Sequence, residues 1–422
     1  MSEDAMPEAI NPVADLAPRP DAQMASVDEF DLMRPDLFHG DYHVDLFKRL
    51  RDEAPVISQD VEDLGRVWHV TRFEDIMAVD TNHADFSSDG SIVATDQEED
   101  FPLPMFIAMD PPKHDQQRRE VSGVVAPRNL ASMEALIRQR CRKILSELPR
   151  GETFNWVDLV SIELTTQMLA TLFDFPFEDR RKLTRWSDVA TADEQSGLVE
   201  SEDARRAELI ECLTYFTELW NQRVNAPPAN DLISMLAHGE STKNMDPMEY
   251  LGNLILLIVG GNDTTRNSIS GGVRFLNENP DEFAKLKANP SLIPNMVPEI
   301  IRYQTPLAYM RRTTTRPVEI AGRSIPEGER ILMWYVSGNR DERAIQNPDA
   351  FLIDRARSRQ HLSFGFGIHR CMGNRLAEMQ LRILWEEILA QFDRVELVGE
   401  PEYVNSNFVK GYTSLPVVVF DR

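Results

Sequence analysis

Cysteine is scarce in this chain of 422 residues, which contains only Cys141, Cys212 and Cys371. Their odd number and wide spacing argue against a framework of disulfides. The sequence has no Cys-x-x-Cys pair and no set of four cysteines. This excludes a conventional structural zinc site and an all-cysteine iron–sulfur cluster within the chain. The role of each thiol therefore has to be argued from its own surroundings.

Long apolar runs and positive charge are also in short supply. The longest apolar run, Leu254–Val259, is much shorter than the ~20 residues that span a bilayer. The chain has 69 acidic and 45 basic residues and a formal net charge of −24, and an acidic surface repels nucleic acids and anionic membranes. The first thirty residues lack the basic start and apolar core of a secretory signal. We therefore expect a cytoplasmic protein with no membrane span and no nucleic-acid partner.

Periodic apolar positions, by contrast, are abundant and favour helices. The longest predicted helix extends from about Asp246 to Asn279, and its middle is apolar on every side, so it should cross the core. Further helices are predicted over 30–55, Leu130–Leu148, Val157–Phe173, Arg205–Val224 and about Met372–Gln391.

Short extended segments are predicted at 55–59, 66–71 and 312–331. Acidic, weakly apolar segments at 86–101 and 188–203 are candidates for mobile loops or lids. The predicted fold class is therefore mainly α with small β-sheets (α+β). We expect a single domain over 30–422, preceded by a mobile N-terminal tail over 1–29.

The third cysteine lies in a glycine-rich stretch, Ser363–Gly373 (SFGFGIHRCMG), just before a predicted helix. The glycines permit a sharp turn and the close approach of a flat group, and the N-terminal amides of the helix would stabilise a thiolate. An inert buried cysteine is the simplest interpretation. A Rossmann phosphate loop requires G-x-G-x-x-G, but Arg370 occupies the third glycine position. A cysteine nucleophile with His369 as its base and a thiolate ligand of haem iron are the other interpretations.

The spacing Phe364-x-x-Gly367-x-His369-x-Cys371-x-Gly373 resembles the haem loop of the cytochromes P450. The resemblance implies haem b, with the Cys371 thiolate as axial ligand of the iron and Phe364 and Gly373 next to the cofactor. It also implies the cytochrome P450 fold, in which the haem lies between the long central helix and the cysteine loop.

The long helix contains a second unusual segment, Gly260–Thr265 (GGNDTT). Glycine weakens a helix by ~1 kcal/mol relative to alanine, and a buried carboxylate is costly without a partner. A helix surface that turns towards solvent would explain the segment without a function. The segment also resembles the acid–alcohol pair with which cytochromes P450 activate dioxygen. This resemblance implies that Asp263 relays protons and that Thr264 provides a hydrogen bond in the oxygen site.

Glu299 and Arg302 form a Glu-x-x-Arg pair, one helical turn apart. An exposed pair of this kind contributes only ~0.2–0.5 kcal/mol and is common on helices. Upstream of the cysteine loop, it resembles the pair that braces the haem loop in cytochromes P450. The resemblance therefore implies a structural role for both residues.

Four basic residues resemble the P450 positions that contact the haem propionates. His114 and Arg118 lie four residues apart, on one face of a predicted helix. Arg312 precedes a Thr-Thr-Thr strand, and His369 lies in the cysteine loop. Each residue alone would be interpreted as a surface cation. Together they provide the positive and hydrogen-bonding partners that two buried carboxylates require.

The resemblance to cytochromes P450 covers residues 30–422. Within that family, the chain is most similar to the soluble bacterial enzymes that hydroxylate n-alkanes and fatty acids at the chain terminus. Two stretches carry this narrower similarity: GGNDTTRNSISGG and LSFGFGIHRCMGNRLAEMQLRILWEEIL. This resemblance implies an O2-dependent monooxygenase acting on a linear apolar substrate, which is held by burial at ~0.8 kcal/mol per CH2. By position in the family, the candidate substrate walls are Ile92, Val93, Leu256, Leu257, Gly260, Leu307, Met310, Phe408 and Val409.

The resemblance also implies an external electron donor, because the chain has neither a nucleotide loop nor enough cysteines for a cluster. A ferredoxin with its NAD(P)H-dependent reductase is expected, docking on a basic patch for which Arg118, Arg119, Arg370 and Arg375 are the candidates. A P450 acting on a terpene or other ring substrate is a second hypothesis. A haem-thiolate sensor without turnover is a third, against which the proton relay argues.

Overall fold

The computed structural model describes residues 17–192 and 197–422, in which helices dominate and the strands are short. The helices are α1 (Tyr42–Glu53), α2 (Phe73–Thr81), α3 (Lys113–Ser122), α4 (Pro127–Ser146), α5 (Glu163–Phe173), α6 (Arg181–Thr191), α7 (Glu202–Val224), α8 (Leu232–His238), α9 (Pro247–Glu278), α10 (Pro280–Ala288), α11 (Ile293–Gln304), α12 (Tyr335–Gly338) and α13 (Asn374–Gln391). The strands are β1 (Val56–Val61), β2 (Gly65–Val70), β3 (Phe86–Ser87), β4 (Phe154–Asn155), β5 (Met310–Thr314), β6 (Val318–Ile320), β7 (Arg323–Ile325), β8 (Arg330–Met333), β9 (Phe392–Leu397), β10 (Glu402–Tyr403), β11 (Tyr412–Ser414) and β12 (Pro416–Asp421). The predicted fold class is confirmed.

Helix α9 is the central element of the fold, and its ends lie where the sequence predicts them. The Asp246 carboxylate accepts a hydrogen bond from the N–H of Met248 at 2.8 Å, and Pro247 is the first helical residue. Such a cap satisfies one of the amides that a helix start leaves without a partner. The helix packs against α5, α6, α7, α11 and α13. The polar segment 260–265 therefore lies in the interior of the protein.

The strands form one larger sheet and three small ones. The larger sheet has the order β1-β2-β8-β5-β3, with β2 and β8 parallel and the other pairs antiparallel. The order β4-β12-β9 forms a three-stranded sheet, and β6-β7 and β10-β11 form two-stranded sheets. In the larger sheet Arg312 pairs with Ile331, which confirms the predicted strand at Arg312.

Two predicted segments differ from the structure. The helix predicted over 30–55 is wrong in its first part, because residues 30–41 form turns and α1 covers only the second part. Gly40 has a φ of 73°, a left-handed conformation that interrupts a right-handed helix. The acidic segment 188–203 begins within α6 and ends within α7. Its residues 193–196 lie outside the described residues.

The predicted N-terminal tail is described only in part, since residues 1–16 lie outside the described residues. Ala22 is buried, and Arg49 of α1 donates to its carbonyl oxygen at 3.3 Å. The start of the described chain therefore contacts α1.

The main apolar core lies between the helices around α9, and smaller apolar clusters lie beneath the larger sheet and around α1. Across 17–192 and 197–422, no helix combines the length and the apolar character that crossing a membrane requires.

Candidate active site

Cys371 lies between a short 3-10 turn, Gly367–His369, and the start of α13. Its N–H donates to the carbonyl oxygen of Phe364 at 2.7 Å and closes the loop. Gly367 has a φ of 66°, and a Cβ atom there would lie 2.5 Å from the carbonyl oxygen of Asp80. Both the backbone conformation and the available space therefore require glycine at this position.

The Cys371 side chain is exposed, whereas the other two cysteines are buried in α4 and α7. Burial by the surrounding protein nevertheless raises the pKa of the Cys371 thiol. The N–H groups of Gly373 and Asn374 and the guanidinium of Arg118 act in the opposite direction and favour the thiolate. A bound metal cation would supply the remaining stabilisation that this thiolate needs.

Unpartnered hydrogen-bonding atoms collect next to the cysteine loop. The rings of His114 and His369 lie side by side, with centroids 4.2 Å apart. Within the described residues, neither ring nitrogen of His369 nor Nε2 of His114 has a hydrogen-bond partner, although all three are buried. Burial, followed by the positive charges of Arg312, His114 and Arg118, lowers the pKa of His369 to about 2. Buried polar atoms of this kind require partners, and the carboxylates of an anionic cofactor fit this set of donors and cations.

Arg312 has a partner that sequence analysis missed. Its Nη2 donates to Asp80 at 2.7 Å. Asp80 also accepts hydrogen bonds from the Tyr335 hydroxyl at 2.9 Å and from the N–H of Phe366 at 2.7 Å. Burial raises the pKa of Asp80, and Arg312 opposes this shift. Asp80 therefore holds Arg312 in place and links it to the cysteine loop through the N–H of Phe366.

One strip of α9 remains open although most of the helix is buried. Gly260 is exposed, and a Cβ atom added to it would meet no other atom within 4 Å. Thr264 follows one turn later, is half-buried and donates to the carbonyl oxygen of Gly260 at 2.9 Å. These two predicted residues therefore lie on an open strip of α9.

Asp263, the residue before Thr264, is fully buried and directed towards α6. Its Oδ1 accepts hydrogen bonds from Ser187 at 2.9 Å and Asn262 at 3.0 Å, and lies 3.2 Å from Arg266. Arg266 in turn donates to Asp188 at 2.6 Å. Burial raises the pKa of Asp263 to about 6 against the opposing charge of Arg266. A carboxyl group with this pKa exchanges protons near neutral pH.

The Glu299–Arg302 pair is completely buried and forms two contacts of 2.8 Å. Arg302 also donates to the carbonyl oxygens of Asn339 and Pro348, each at 2.8 Å. Arg355 donates to Glu299 at 2.8 Å and is a third member of the group that the sequence analysis did not identify. A buried pair with so many partners is costly to break, which fits the predicted structural role.

Five of the nine predicted substrate-wall residues lie in two groups that backbone hydrogen bonds hold together. Leu307 and Val409 form a β-bridge, and the N–H of the residue after Leu307 donates to the carbonyl oxygen of Phe408 at 2.8 Å. Similarly, the N–H of the residue after Met310 donates to the carbonyl oxygen of Ile92 at 2.8 Å. Of the remaining predicted wall residues, Gly260 is exposed, and the other three are half-buried: Val93, Leu256 and Leu257. Leu256 and Leu257 pack against the main helical core.

Ion pairs join the acidic segment 86–101 to the first turns of α7. Arg205 donates to Glu98 at 2.8 Å, and Arg206 donates to Asp100 at 2.8 Å and also pairs with Glu98. We call these four residues the clasp. Since they lie on or beside the two predicted lid segments, the clasp connects the segments to each other.

Exposed arginines lie around the cysteine loop on the outer surface. Arg119, Arg370 and Arg375 are exposed, and none takes part in an ion pair within the described chain. Arg118 is more enclosed and donates to the carbonyl oxygen of Arg370, which joins α3 to the loop. We call Arg119, Arg370 and Arg375 the basic face.

Comparison with known proteins identifies this arrangement. The model of the cytochrome P450 family matches residues 67–408, most of the chain. The solved structure of cytochrome P450-153 from Novosphingobium aromaticivorans is 47% identical and superimposes with a TM-score of 0.87. The superposition covers 92% of this chain and 99% of that one.

Several curated relatives have names that state an activity. Linalool 8-monooxygenase of Pseudomonas putida is 34% identical over 406 residues, which cover 93% of this chain and 99% of that protein. Methyl-branched lipid omega-hydroxylase of Mycobacterium tuberculosis is 31% identical over 387 residues, which cover 88% of this chain and 90% of that protein.

Proposed function

This chain belongs to the cytochrome P450 family and is a monooxygenase with haem b and a cysteine thiolate ligand; we propose that it hydroxylates the terminal C–H of medium-chain n-alkanes or fatty acids. The proposed co-substrates are dioxygen and electrons from a ferredoxin, itself reduced by an NAD(P)H-dependent reductase. The lipid omega-hydroxylase among its relatives supports terminal selectivity. The linalool enzyme favours a terpene as the second candidate substrate.

The proposed axial ligand is Cys371, the one exposed cysteine, which lies at the amides that begin α13. Haem supplies the oxygen chemistry when bound, and a thiolate ligand favours cleavage of the O–O bond. His114, His369, Arg118 and Arg312 are proposed to hold the two carboxylates at its edge. The unpartnered ring nitrogens of the two histidines support this assignment.

Asp263 and Thr264 are the proposed catalytic residues for proton delivery. Thr264 borders the open strip of α9, and the adjacent Asp263 has a pKa of about 6. Arg266 connects Asp263 to Asp188, whose side chain is 27% exposed. This chain of ion pairs links the carboxyl group electrostatically to the surface of α6, while Oδ2 has no hydrogen-bond partner within the described residues. A sensor protein without turnover would need no such titrating carboxyl group.

The single observation that carries the proposal is the open strip at Gly260 and Thr264, on a helix that is otherwise largely buried. Terminal C–H bonds are stronger than internal ones, so terminal selectivity has to come from shape. A missing Cβ at Gly260 leaves room for a chain end close to Thr264. The walls formed by Leu307, Val409 and their neighbours would restrict the approach of a branched or cyclic substrate.

Product analysis tests this proposal most directly. The purified holoenzyme, supplied with a ferredoxin, its reductase and NADH, would be given octane, a medium-chain fatty acid or linalool, and the products separated by gas chromatography. We expect terminal alcohols as the main products from the linear substrates. Mainly internal alcohols, or turnover of linalool in preference to both linear substrates, would overturn the proposed selectivity. A Gly260→Val variant should shift the product away from the chain end if the strip admits that end.

The basic face is the proposed docking site for the ferredoxin. Ferredoxins are usually acidic, and this chain carries a net charge of −24, so overall charge opposes their association. Arg119, Arg370 and Arg375 provide unpaired positive charge near Cys371. This local charge would steer an acidic partner to the surface near the Cys371 sulfur, where the distance for electron transfer is shortest.

A further inference from the structure

Three hydrogen-bond donors converge on one oxygen of Asp263 and leave the other free. Ser187, Asn262 and Arg266 all lie within 3.2 Å of Oδ1. Within the described residues, Oδ2 is buried and has no hydrogen-bond partner. The two oxygens of this carboxyl group are therefore chemically different, although the sequence treats them alike.

Asn262 is the donor whose orientation depends on another helix. Its Oδ1 lies 2.8 Å from the hydroxyl of Thr165 on α5, and its Nδ2 donates to Asp263 at 3.0 Å. If the amide were reversed, its oxygen would face the carboxylate oxygen, and two acceptors would lie in contact. Of the three acceptors within reach of the Thr165 hydroxyl, the amide oxygen is the nearest, ahead of the carbonyl oxygens of Ser161 at 3.0 Å and Ile162 at 3.2 Å, and a hydrogen bond to it favours the observed orientation. All three side chains are buried.

We infer that Asn262 and Thr165 are positioning residues, which anchor Oδ1 of Asp263 so that Oδ2 carries the mobile proton. The inference rests on the proposed role of Asp263 in proton delivery. A carboxylate that loses a hydrogen-bond donor becomes a stronger base. Removing the Asn262 donor should therefore keep Asp263 protonated to a higher pH.

The other charges around Asp263 act in known directions. Arg266 on the same helix stabilises the carboxylate, and Asp188 on α6 destabilises it. Among the described residues that contact this carboxyl group, α6 also supplies the neutral Ser187. The pair Thr165 and Asn262 is neutral, so its effect comes through hydrogen bonding and orientation, and added salt should change it little.

The test measures the protonation of Asp263 directly, by infrared spectroscopy of the holoenzyme between about pH 4.5 and 8.5. Subtraction of the spectra of Asp263→Asn isolates this carboxyl group. We expect Asn262→Leu to raise the midpoint by about one pH unit, the order of one hydrogen bond to a buried carboxylate. Thr165→Val should raise it by less, because the amide keeps its donor but loses its fixed orientation.

Two matched controls separate positioning from a general change in packing. Thr165→Ser keeps the hydroxyl and should keep the wild-type midpoint. Thr166→Val removes a neighbouring buried hydroxyl that donates to the carbonyl oxygen of Ile162 at 2.8 Å, and it should also leave the midpoint unchanged. If Asn262→Leu does not bind haem, Thr165→Val decides the outcome.

An unchanged midpoint in the folded Asn262→Leu and Thr165→Val enzymes would overturn the inference. So would an equal shift in Thr166→Val. The proposed relay is tested separately, by the pH at which NADH-coupled product formation declines on the alkaline side. If the infrared midpoint moves and this decline does not, the positioning role stands and the proton-delivery role of Asp263 is wrong. If the infrared midpoint and the alkaline decline move together, the positioning role of Asn262 and Thr165 and the proton-delivery role of Asp263 are both supported.

Discussion

Two regions of the molecule, the cysteine loop and the α9 segment 260–265, handle charge in different ways. At the cysteine loop, several donors and cations lack partners within the described residues: Nε2 of His114, both ring nitrogens of His369, and the arginines of the basic face. At α9, each charge has a partner, as in the chain of Asp263, Arg266 and Asp188.

This difference separates binding from proton transfer. An excess of donors attracts anions, which suits the carboxylates of a cofactor and the acidic surface of an electron donor. A compensated network leaves one carboxyl group near its point of half-ionisation, which suits repeated uptake and release of protons. Variants that change the charge or the hydrogen-bonding groups of either region therefore test this comparison most sharply.

The largest effect is expected from replacing Cys371 in the cysteine loop. Cys371→Ser should abolish the red-shifted absorption band of the reduced carbon monoxide complex, because serine cannot supply a thiolate. Cys141→Ala removes a buried thiol in α4 and should retain the band. A normal band in Cys371→Ser that contains haem would show that the ligand is elsewhere.

On the α9 side, Thr264→Ala should separate electron consumption from product formation. NADH oxidation should continue, while the product formed per NADH falls roughly tenfold or more and hydrogen peroxide appears instead, because positioned proton transfer contributes ~10²–10⁴-fold. Thr265→Val, the adjacent buried position, serves as the control and should stay coupled. Tight coupling in Thr264→Ala would contradict the role assigned to its hydroxyl.

The basic face should respond to charge more than to size. Arg375→Glu or Arg119→Glu should slow reduction by ferredoxin about tenfold at low salt and weaken its salt dependence, since steering depends on complementary charge. Stopped-flow measurements over a range of ionic strength provide the comparison. Arg323→Glu changes an exposed arginine of β7 by the same charge and should have little effect. Equal slowing in all three variants would indicate net charge rather than docking.

The clasp should give the smallest effect. Exposed ion pairs contribute about 0.2–1 kcal/mol each, so Asp100→Asn, which breaks the exposed pair with Arg206 at 2.8 Å, should change the rates of substrate entry and exit by no more than about fivefold. The shift of the Soret band after mixing with a fatty acid reports these rates. Glu378→Gln breaks an exposed pair with Arg359 at 2.8 Å and is the matched control. Identical rates in both variants would mean that the clasp does not restrain the lid segments.

Local sequence predicted those parts of the site whose residues are close in the chain. The cysteine loop follows from glycines that permit its turns, and the start of α9 follows from a capping aspartate before a proline. Glu299 and Arg302 share a helix face and were predicted as a pair. The helix over 30–41 was predicted wrongly, because its apolar spacing was read without the left-handed turn at Gly40.

The remaining contacts join segments that are distant in the chain, and no local pattern contains them. Asp80 reaches Arg312 from α2, Arg355 completes the buried pair from a later loop, and Thr165 reaches Asn262 from α5. Each partner is an ordinary polar residue in its own segment. Its role exists only once packing has brought it within hydrogen-bond distance.

The amino-acid sequence alone therefore determined the chemical groups of this protein: a thiol before a helix, an acid beside an alcohol within an apolar helix, and a series of basic residues. Tertiary structure decided which atoms of those groups are free and which are occupied. The physical reason is the distance along the chain over which each interaction acts. Backbone turns and helix caps depend on neighbouring residues, whereas burial and hydrogen-bond partners depend on the whole folded chain.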